Sequence, residues 1–288
     1  MKRLFLFILV LACINAVAQS DSSWDMVPQI LGRGGKLTDD IYKVGFPRTD
    51  LKVTINGTAI APTAGLGTWM AFRKADSANY VADGDLVLLA AEVNPVISAL
   101  QNGGIEVSAV HNHLIGEEPQ VMYVHFFGRG PLNNLLRTLR AALDTTKTPI
   151  APAASSAPAP PLPEKKEIEA VMGKAGADNQ GVLAFSFPRS HDIVMHHETL
   201  APAMGMATAI NFQSSPKGVA ATGDYVLRED EVTRVLLALR KDNVLVTAVH
   251  NHLYDDEPRM VFVHFWAEGK AAEVALSLKH ALDAASAK

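Results

Sequence analysis

The chain repeats itself, and this internal duplication constrains its fold more than any other feature of the sequence. Residues 107–126 align with residues 246–265 at a constant offset of 139, and 12 of the 20 aligned residues are identical. Both segments contain the run Ala-Val-His-Asn-His-Leu, followed by Glu-Pro and then by Val-His-Phe. Self-similarity at one offset is typical of tandem structural units. A length of 288 residues, about twice that of a common domain, therefore predicts two homologous modules.

A segment rich in alanine and proline separates the two copies. It contains the run Ala-Pro-Ala-Ala-Ser-Ser-Ala-Pro-Ala-Pro-Pro-Leu-Pro, which favours extended backbone and cannot bury a core. We therefore predict a first module over residues 22–144, a linker over 145–166 and a second module over 167–285. Hydrophobic residues make up 48% of the chain, which is enough for both modules to form cores.

Each copy shows the same order of predicted elements. Strand-like runs come first and are followed by a helix, which is clearest over residues 231–240, where apolar residues recur at helical spacing. Two further strands carry the histidines, and an amphipathic helix closes each copy, at 132–143 and 271–282. This order predicts an α+β fold with two tandem homologous modules, each a mostly antiparallel sheet covered on one face by helices.

The first residues are typical of an export signal. Two basic residues precede an apolar stretch over 4–14, and the run Ala-Val-Ala at 16–18 fits a signal-peptidase site. We predict a signal peptide over residues 1–18 and an exported protein of the periplasm or cell envelope. Cys13 is the only cysteine and follows Val-Leu-Ala, as in a lipoprotein processing site. The only membrane contact predicted is therefore a lipid anchor at Cys13.

The charge of the chain argues against nucleic acid as a partner. The formal net charge is −4, and the sequence has no run of basic residues that would follow a phosphate backbone. The partners expected instead are an unidentified small molecule or a component of the cell envelope.

Three histidines of each copy are predicted to share one face of the sheet. Alternation along a strand places His111 and His113 on the same face. In the hairpin register that sets His125 opposite Ala109, the third ring is a diagonal neighbour of His111. The opposite face then carries apolar residues that a helix layer can cover. The equivalent residues of the second copy are His250, His252 and His264.

Three imidazoles on one face favour a divalent metal ion in each module, with zinc as the first choice. Acidic residues in the loop between the two strands could supply a fourth ligand or the general base for metal-bound water. They are Glu117, Glu118, Asp256 and Glu257. If the chain is an enzyme, metal-dependent hydrolysis is the predicted class. Two alternatives stay open: a metal-free polar ligand site, and histidines that only hydrogen-bond within a non-catalytic ligand- or partner-binding protein.

Two arginines are further candidates for ligand binding. Arg48 and Arg189 each follow a Phe-Pro pair at matching positions of the two copies. A guanidinium group at such a position could bind an anionic ligand, and a structural salt bridge is the alternative.

The sequence motifs resemble those of the LppY/LpqO family of bacterial envelope proteins, a domain of unknown function. The resemblance rests on Pro-Arg-Thr-Asp (47–50), Gly-Leu-Gly-Thr-Trp (65–69), Gly-Asp (84–85), Glu-Val-Asn-Pro-Val (92–96), and His-Asn-His-Leu (111–114) with the later Glu-Pro and His125. It implies an envelope location, with lipoproteins among the members, and no particular substrate. The second copy departs from these motifs, since Ala209 replaces Trp69, so the two modules are not expected to be equally active.

Overall fold

The computed structural model describes residues 22–151 and 161–286. The predicted signal peptide, Cys13 and residues 152–160 of the predicted linker lie outside the described residues. Within the described ranges, none of the helices combines the length and the apolar character needed to cross a membrane.

The first module contains one main antiparallel sheet and four helices. Its strands are β1 (Lys36–Thr38), β2 (Ile41–Pro47), β3 (Thr54–Ile55), β4 (Thr58–Ala59), β5 (Gly67–Lys74), β6 (Tyr80–Leu89), β7 (Glu106–His111), β8 (Glu117–Glu118) and β9 (Val121–Gly130). Its helices are α1 (Met26–Leu31), α2 (Pro62–Gly65), α3 (Ala90–Asn102) and α4 (Leu132–Asp144). The strand order in the main sheet is β1-β2-β5-β6-β9-β7, and every neighbouring pair is antiparallel.

The second module repeats this architecture. Its strands are β10 (Ala177–Asn179), β11 (Val182–Pro188), β12 (Ile193–Met195), β13 (Glu198–Leu200), β14 (Ala207–Ser215), β15 (Gly218–Arg228), β16 (Leu245–His250) and β17 (Met260–Gly269). Its helices are α5 (Lys165–Met172), α6 (Glu229–Lys241) and α7 (Ala271–Ser286). The main sheet has the order β10-β11-β14-β15-β17-β16, which matches that of the first module strand for strand.

Helices cover the outer face of each main sheet. In the first module Val124 and Phe126 of β9 belong to one buried core with Leu139 of α4. In the second module Phe265 of β17 belongs to the equivalent core with Leu278 of α7. The predicted fold class is confirmed: each of the two modules is a mostly antiparallel sheet with helices on one face.

The two sheets pack against each other through the faces that the helices leave free. One shared core combines Val81 and Phe127 of the first module with Met206 and Phe262 of the second. Another core contains Tyr123 together with Trp266 of the second module. The chain therefore has four layers, in the order helix, sheet, sheet and helix, and the inner faces of both modules are buried between the sheets.

The hairpins that carry the histidines have the predicted register in both modules. His125 lies opposite Ala109 between β9 and β7, and His264 lies opposite Ala248 between β17 and β16. A slip by one residue would turn these rings toward the helices. The register is fixed because Val124, Phe126 and their counterparts fill the helix-covered cores.

The repeated Gly-Asp pair has a steric basis. A side chain at Gly84 would collide with the carbonyl oxygen of Trp69, and one at Gly223 would collide with the carbonyl oxygen of Ala209. Glycine therefore allows β6 and β15 to approach their neighbouring strands at the same point in each module.

Gly223→Ala is expected to lower the free energy of unfolding by about 1–3 kcal/mol, because the strands must separate to accommodate the added methyl group. The measurement is urea denaturation of the purified chain. Gly45→Ala is the matched control, since a Cβ atom there would meet nothing within 4 Å. Its stability should stay within about 0.5 kcal/mol of the parent protein. Equal stabilities of the two variants would contradict the steric argument.

Candidate metal centre

The six predicted histidines form one cluster between the two sheets. The rings of His111 and His250 stack with their centroids 4.0 Å apart, and those of His113 and His264 with centroids 3.9 Å apart. His125 stacks on His252 at 4.4 Å. Each of these contacts joins one module to the other. We call the six residues the histidine cluster.

This arrangement differs from the two separate sites expected from the sequence. That expectation placed one metal ion in each module. In the structure the two faces are buried against each other, so both sets of three rings enter a single space. The ring contacts of His111 include His113 from its own module and three histidines of the other, His250, His252 and His264.

Four members of the cluster could hold a single ion. One ring nitrogen from each lies within 4.8 Å of the corresponding nitrogens of the other three. We call these residues the four-histidine group: His111, His113, His252 and His264. Each module contributes two of them. Nitrogen ligands around a tetrahedral zinc ion lie about 3.3 Å apart, since zinc–nitrogen distances are about 2.0–2.1 Å. The rings would therefore have to move inward by about 1 Å to bind the ion.

Several ring nitrogens of this group are buried without hydrogen-bond partners. Among the described residues, neither nitrogen of His111 or His252 has an acceptable hydrogen bond, and the same holds for Nε2 of His264. A buried polar atom without a partner costs about 1–3 kcal/mol. Coordination to a metal would satisfy these nitrogens, and a set of imidazole donors fits zinc and other first-row divalent metals.

Groups outside the cluster orient several of its rings. Nδ1 of His264 donates to the carbonyl oxygen of Gly223 at 3.1 Å, which leaves Nε2 as the nitrogen with a free lone pair. Nδ1 of His125 lies 2.9 Å from Oγ of Ser108. Nε2 of His113 lies 3.3 Å from Oδ2 of Asp85 but forms no hydrogen bond with it. In metal sites such outer partners fix the orientation of the ring and select the nitrogen that binds.

Burial keeps the imidazoles neutral. Loss of hydration lowers the pKa of His125 to about 4. The same cause, followed by the neighbouring imidazoles, holds the pKa values of His113, His252 and His264 well below the usual range. Neutral imidazole is the form that binds metals. The cluster is therefore in its metal-binding form at neutral pH.

Three aspartates lie beside the histidines. Asp85 pairs with His125 across the sheet, and Asp224 pairs with His264 at the equivalent position of the second module. Burial, and then the charge of Asp85, raises the pKa of Asp224 to about 7. Burial likewise raises the pKa of Asp83 well above its usual value, with Lys43 acting in the opposite direction. None of these aspartates had a predicted role, although Asp85 and Asp224 belong to the repeated Gly-Asp pair.

The asparagine between the two histidines of each motif has different partners in the two modules. Nδ2 of Asn112 donates to the carbonyl oxygens of Leu114 at 2.8 Å and of Thr247 at 2.9 Å, so it connects the modules. Nδ2 of Asn251 donates to the carbonyl oxygen of Met260 within its own module, at 2.7 Å. The asparagine of each motif therefore stabilises the backbone next to the histidine cluster, although the hydrogen-bond partners differ between the modules.

The acidic residues predicted as catalytic lie between the two strands that carry the histidines, with Glu117 and Glu118 in the short strand β8, and none belongs to the four-histidine group. Oε1 of Glu117 accepts a hydrogen bond from the backbone N–H of Val121, and Oδ2 of Asp256 accepts one from Met260. Glu118 and Glu257 are exposed. The physical reason is local: a carboxylate four residues before the next strand reaches the first free N–H of that strand. The carboxylates of Glu117 and Asp256 therefore stabilise the backbone just before the next strand.

Both arginines form internal ion pairs, and Arg189 also lines a cavity of about 620 Å³, so anion binding by these residues stays a prediction. Arg48 is fully buried, its Nε and Nη2 donate to Asp50 at 2.9 Å, and its Nη1 donates to Glu92 at 2.8 Å. Arg189 donates to Glu231 at 2.6 Å. His191 replaces Asp50 in the second module, so Arg189 has one acidic partner fewer.

A cavity of about 420 Å³ reaches the histidine cluster from one side. Its walls come from both modules, and two members of the four-histidine group, His113 and His264, form part of them. The carboxylates of Asp85 and Asp224 and the ring of Trp69 also line it.

A family model matches both modules of the chain. It is described as Domain of Unknown Function (DUF1259) and matches residues 25–145 and again residues 166–284. The comparison with curated proteins gives no match.

Several solved structures show a distant likeness to the chain. EtuB from Clostridium kluyveri is 10% identical, with 87% of this chain and 89% of that chain covered and a TM-score of 0.20. PduB, described as a trimeric bacterial microcompartment shell protein, is 8% identical, with 88% and 89% covered and a TM-score of 0.23. The ethanolamine utilization protein EutL from Leptotrichia buccalis is 11% identical, with 88% and 96% covered and a TM-score of 0.19.

These comparisons correct the family and location expected from the motifs. The matching model is the Domain of Unknown Function (DUF1259), so the LppY/LpqO assignment is wrong. The predicted periplasmic or envelope location, and the predicted choice between a metal-dependent hydrolase and a periplasmic binding protein, are withdrawn with it, because the family that matches is described only as a domain of unknown function. At TM-scores of 0.19–0.23 the solved structures assign no function to this chain. The chain belongs to the family of the Domain of Unknown Function (DUF1259), of which it carries two tandem copies.

Proposed function

We propose that the protein binds one divalent transition-metal ion, zinc being the first choice, between its two modules. The ligands are the four-histidine group, with His111 and His113 from the first module and His252 and His264 from the second. The observation that carries the proposal is the approach of four ring nitrogens to within 4.8 Å of one another. The partnerless nitrogens and the neutral state of the buried rings support it.

The ion would act as a cross-link between the modules. Its ligands come from segments separated by about 140 residues, and an ion that binds only the folded arrangement stabilises that arrangement by its binding free energy. The remaining members of the cluster, His125 and His250, would pack around the ligands. His125 stacks on His252 and His250 stacks on His111, so both limit the movement of a ligand ring.

Equilibrium dialysis of the chelator-treated full chain against micromolar zinc, followed by elemental analysis, tests the stoichiometry. We expect one equivalent of zinc per chain. His111→Ala and His264→Ala, one in each module, should each weaken binding at least about tenfold, because each removes a ligand from the same ion. Both variants should therefore lose most of the bound zinc at a concentration that just saturates the parent protein.

His280→Ala is the matched control, since His280 is an exposed histidine of α7 that pairs with Asp242. It should retain one equivalent. Two equivalents in the parent protein, with one lost in each variant, would contradict a shared site and indicate one site per module. Unchanged binding in both variants would show that zinc binds elsewhere.

A further inference from the structure

We propose that the cavity beside the metal centre admits a small uncharged molecule that binds the ion and donates hydrogen bonds to Asp85 and Asp224. The molecule would carry a nitrogen or oxygen donor atom for the metal and at least one N–H or O–H group, as an amine, an alcohol or a neutral nitrogen heterocycle does. This inference rests on the proposed metal centre, whose four imidazole ligands the molecule would extend to five-coordinate.

The position of the cavity gives the direction of approach. Of the four-histidine group, only His113 and His264 line it. Their rings stack on each other at 3.9 Å and belong to different modules. A molecule in the cavity would therefore reach the ion from the side of these two rings, while His111 and His252 hold the ion from the opposite side.

The carboxylates define the chemistry of the molecule. Asp85 and Asp224 stand at equivalent positions of the two modules and both line the cavity. Among the described residues, Oδ1 of Asp85 is buried and has no hydrogen-bond partner. A carboxylate oxygen can only accept hydrogen bonds, so its partner must bring an N–H or O–H group. The negative charge of Asp85 also disfavours an anion in the same space.

Some glycines in the wall of the cavity could be replaced by larger residues without a steric clash. Gly45, Gly65 and Gly67 form part of its wall. A Cβ atom at Gly45 would meet no atom within 4 Å, and one at Gly67 would come no closer than 3.9 Å to its nearest neighbour. Larger side chains would fit sterically at these positions and would fill the cavity. The indole of Trp69 offers a flat apolar surface beside the carboxylates.

The test uses the full chain loaded with cobalt, whose visible absorption reports changes in the coordination of the ion. Imidazole is the probe, because it has both a donor nitrogen and an N–H group. We expect a saturable change in the cobalt spectrum as imidazole is added. N-methylimidazole, which lacks the N–H group, should bind about tenfold more weakly, because a hydrogen bond to a carboxylate is lost.

Gly45→Phe should bind one equivalent of cobalt and lose the response to imidazole, because the aromatic ring fills the cavity. Gly130→Phe is the matched control: a Cβ atom there also meets nothing within 4 Å, and Gly130 does not line the cavity. It should respond as the parent protein does.

If imidazole left the cobalt spectrum unchanged, the proposal that the cavity gives access to the ion would be wrong. The same holds if Gly45→Phe responded to imidazole as the parent protein does. Neither result would contradict the metal centre itself. Equal affinities for the two probes would overturn the role of the carboxylates. Failure of cobalt to bind at all would overturn the metal centre and this inference together.

Discussion

Replacing Arg48 with methionine is expected to lower the free energy of unfolding by about 3–5 kcal/mol. The guanidinium group of Arg48 is fully buried and forms ion pairs with Asp50 at 2.9 Å and with Glu92 at 2.8 Å. Its Nη1 also donates to the carbonyl oxygen of Val87 at 2.7 Å. Methionine would fill much of the space but would leave the buried carboxylate of Glu92 without its cation. Denaturation by urea, followed by circular dichroism, measures the loss.

Arg189→Met is the matched control for Arg48→Met, since Arg189 is the repeat equivalent. Arg189→Met should lower the free energy of unfolding by only about 1–2 kcal/mol. The reason is that Glu231 keeps two other basic neighbours, Arg228 at 3.3 Å and Arg234 at 3.9 Å. A smaller loss for Arg48→Met than for Arg189→Met would contradict this account of the ion pairs.

Zinc is expected to raise the free energy of unfolding of the chelator-treated protein by about 4 kcal/mol at a free concentration 1,000-fold above its dissociation constant. The gain arises because the unfolded chain cannot bring together two histidines from each module. It should grow with the logarithm of the zinc concentration. Thermal denaturation over a range of buffered zinc concentrations measures it.

His264→Ala should remove most of the zinc-dependent gain, and His280→Ala should leave it intact. The first variant loses a member of the four-histidine group, whereas His280 lies on the surface of α7. If zinc stabilised both variants equally, the gain would come from sites outside the histidine cluster.

Much of the fold could be predicted because its signals are local. Alternation of side chains along the strands and helical spacing in α6 and α7 act within each segment, and the duplication allowed two versions of each to be compared. The hairpin register followed from the same logic. Val124 and Phe126 had to face the helices, so His125 had to face away from them.

The association of the two modules could not be obtained by considering each module alone. The sequence nevertheless contained an indication that the modules associate. Large aromatic residues share the strands and the face of the histidines: Tyr123, Phe127, Phe262 and Trp266. All four are buried where the sheets meet. A face with so much apolar area is rarely exposed in a soluble protein, so it requires a covering layer.

Proximity in sequence was the basis for the role predicted for the acids between the histidine strands. Glu117 follows the His-Asn-His run by only a few residues, and this suggested a ligand or a base for the metal. The loop instead turns the carboxylate back toward the N–H group of Val121, at 3.3 Å. The acidic residues that do lie beside the histidines are Asp85 of β6 and Asp224 of β15. They are close to the histidines because β6 and β15 are the sheet neighbours of β9 and β17.

The most direct test of a single metal ion shared by the two modules is anomalous diffraction at the zinc absorption edge from crystals soaked with zinc. We expect one strong peak between the sheets, about 2.1 Å from a ring nitrogen of each member of the four-histidine group. Two peaks, one in each module, or one peak bound by histidines of a single module, would contradict the account.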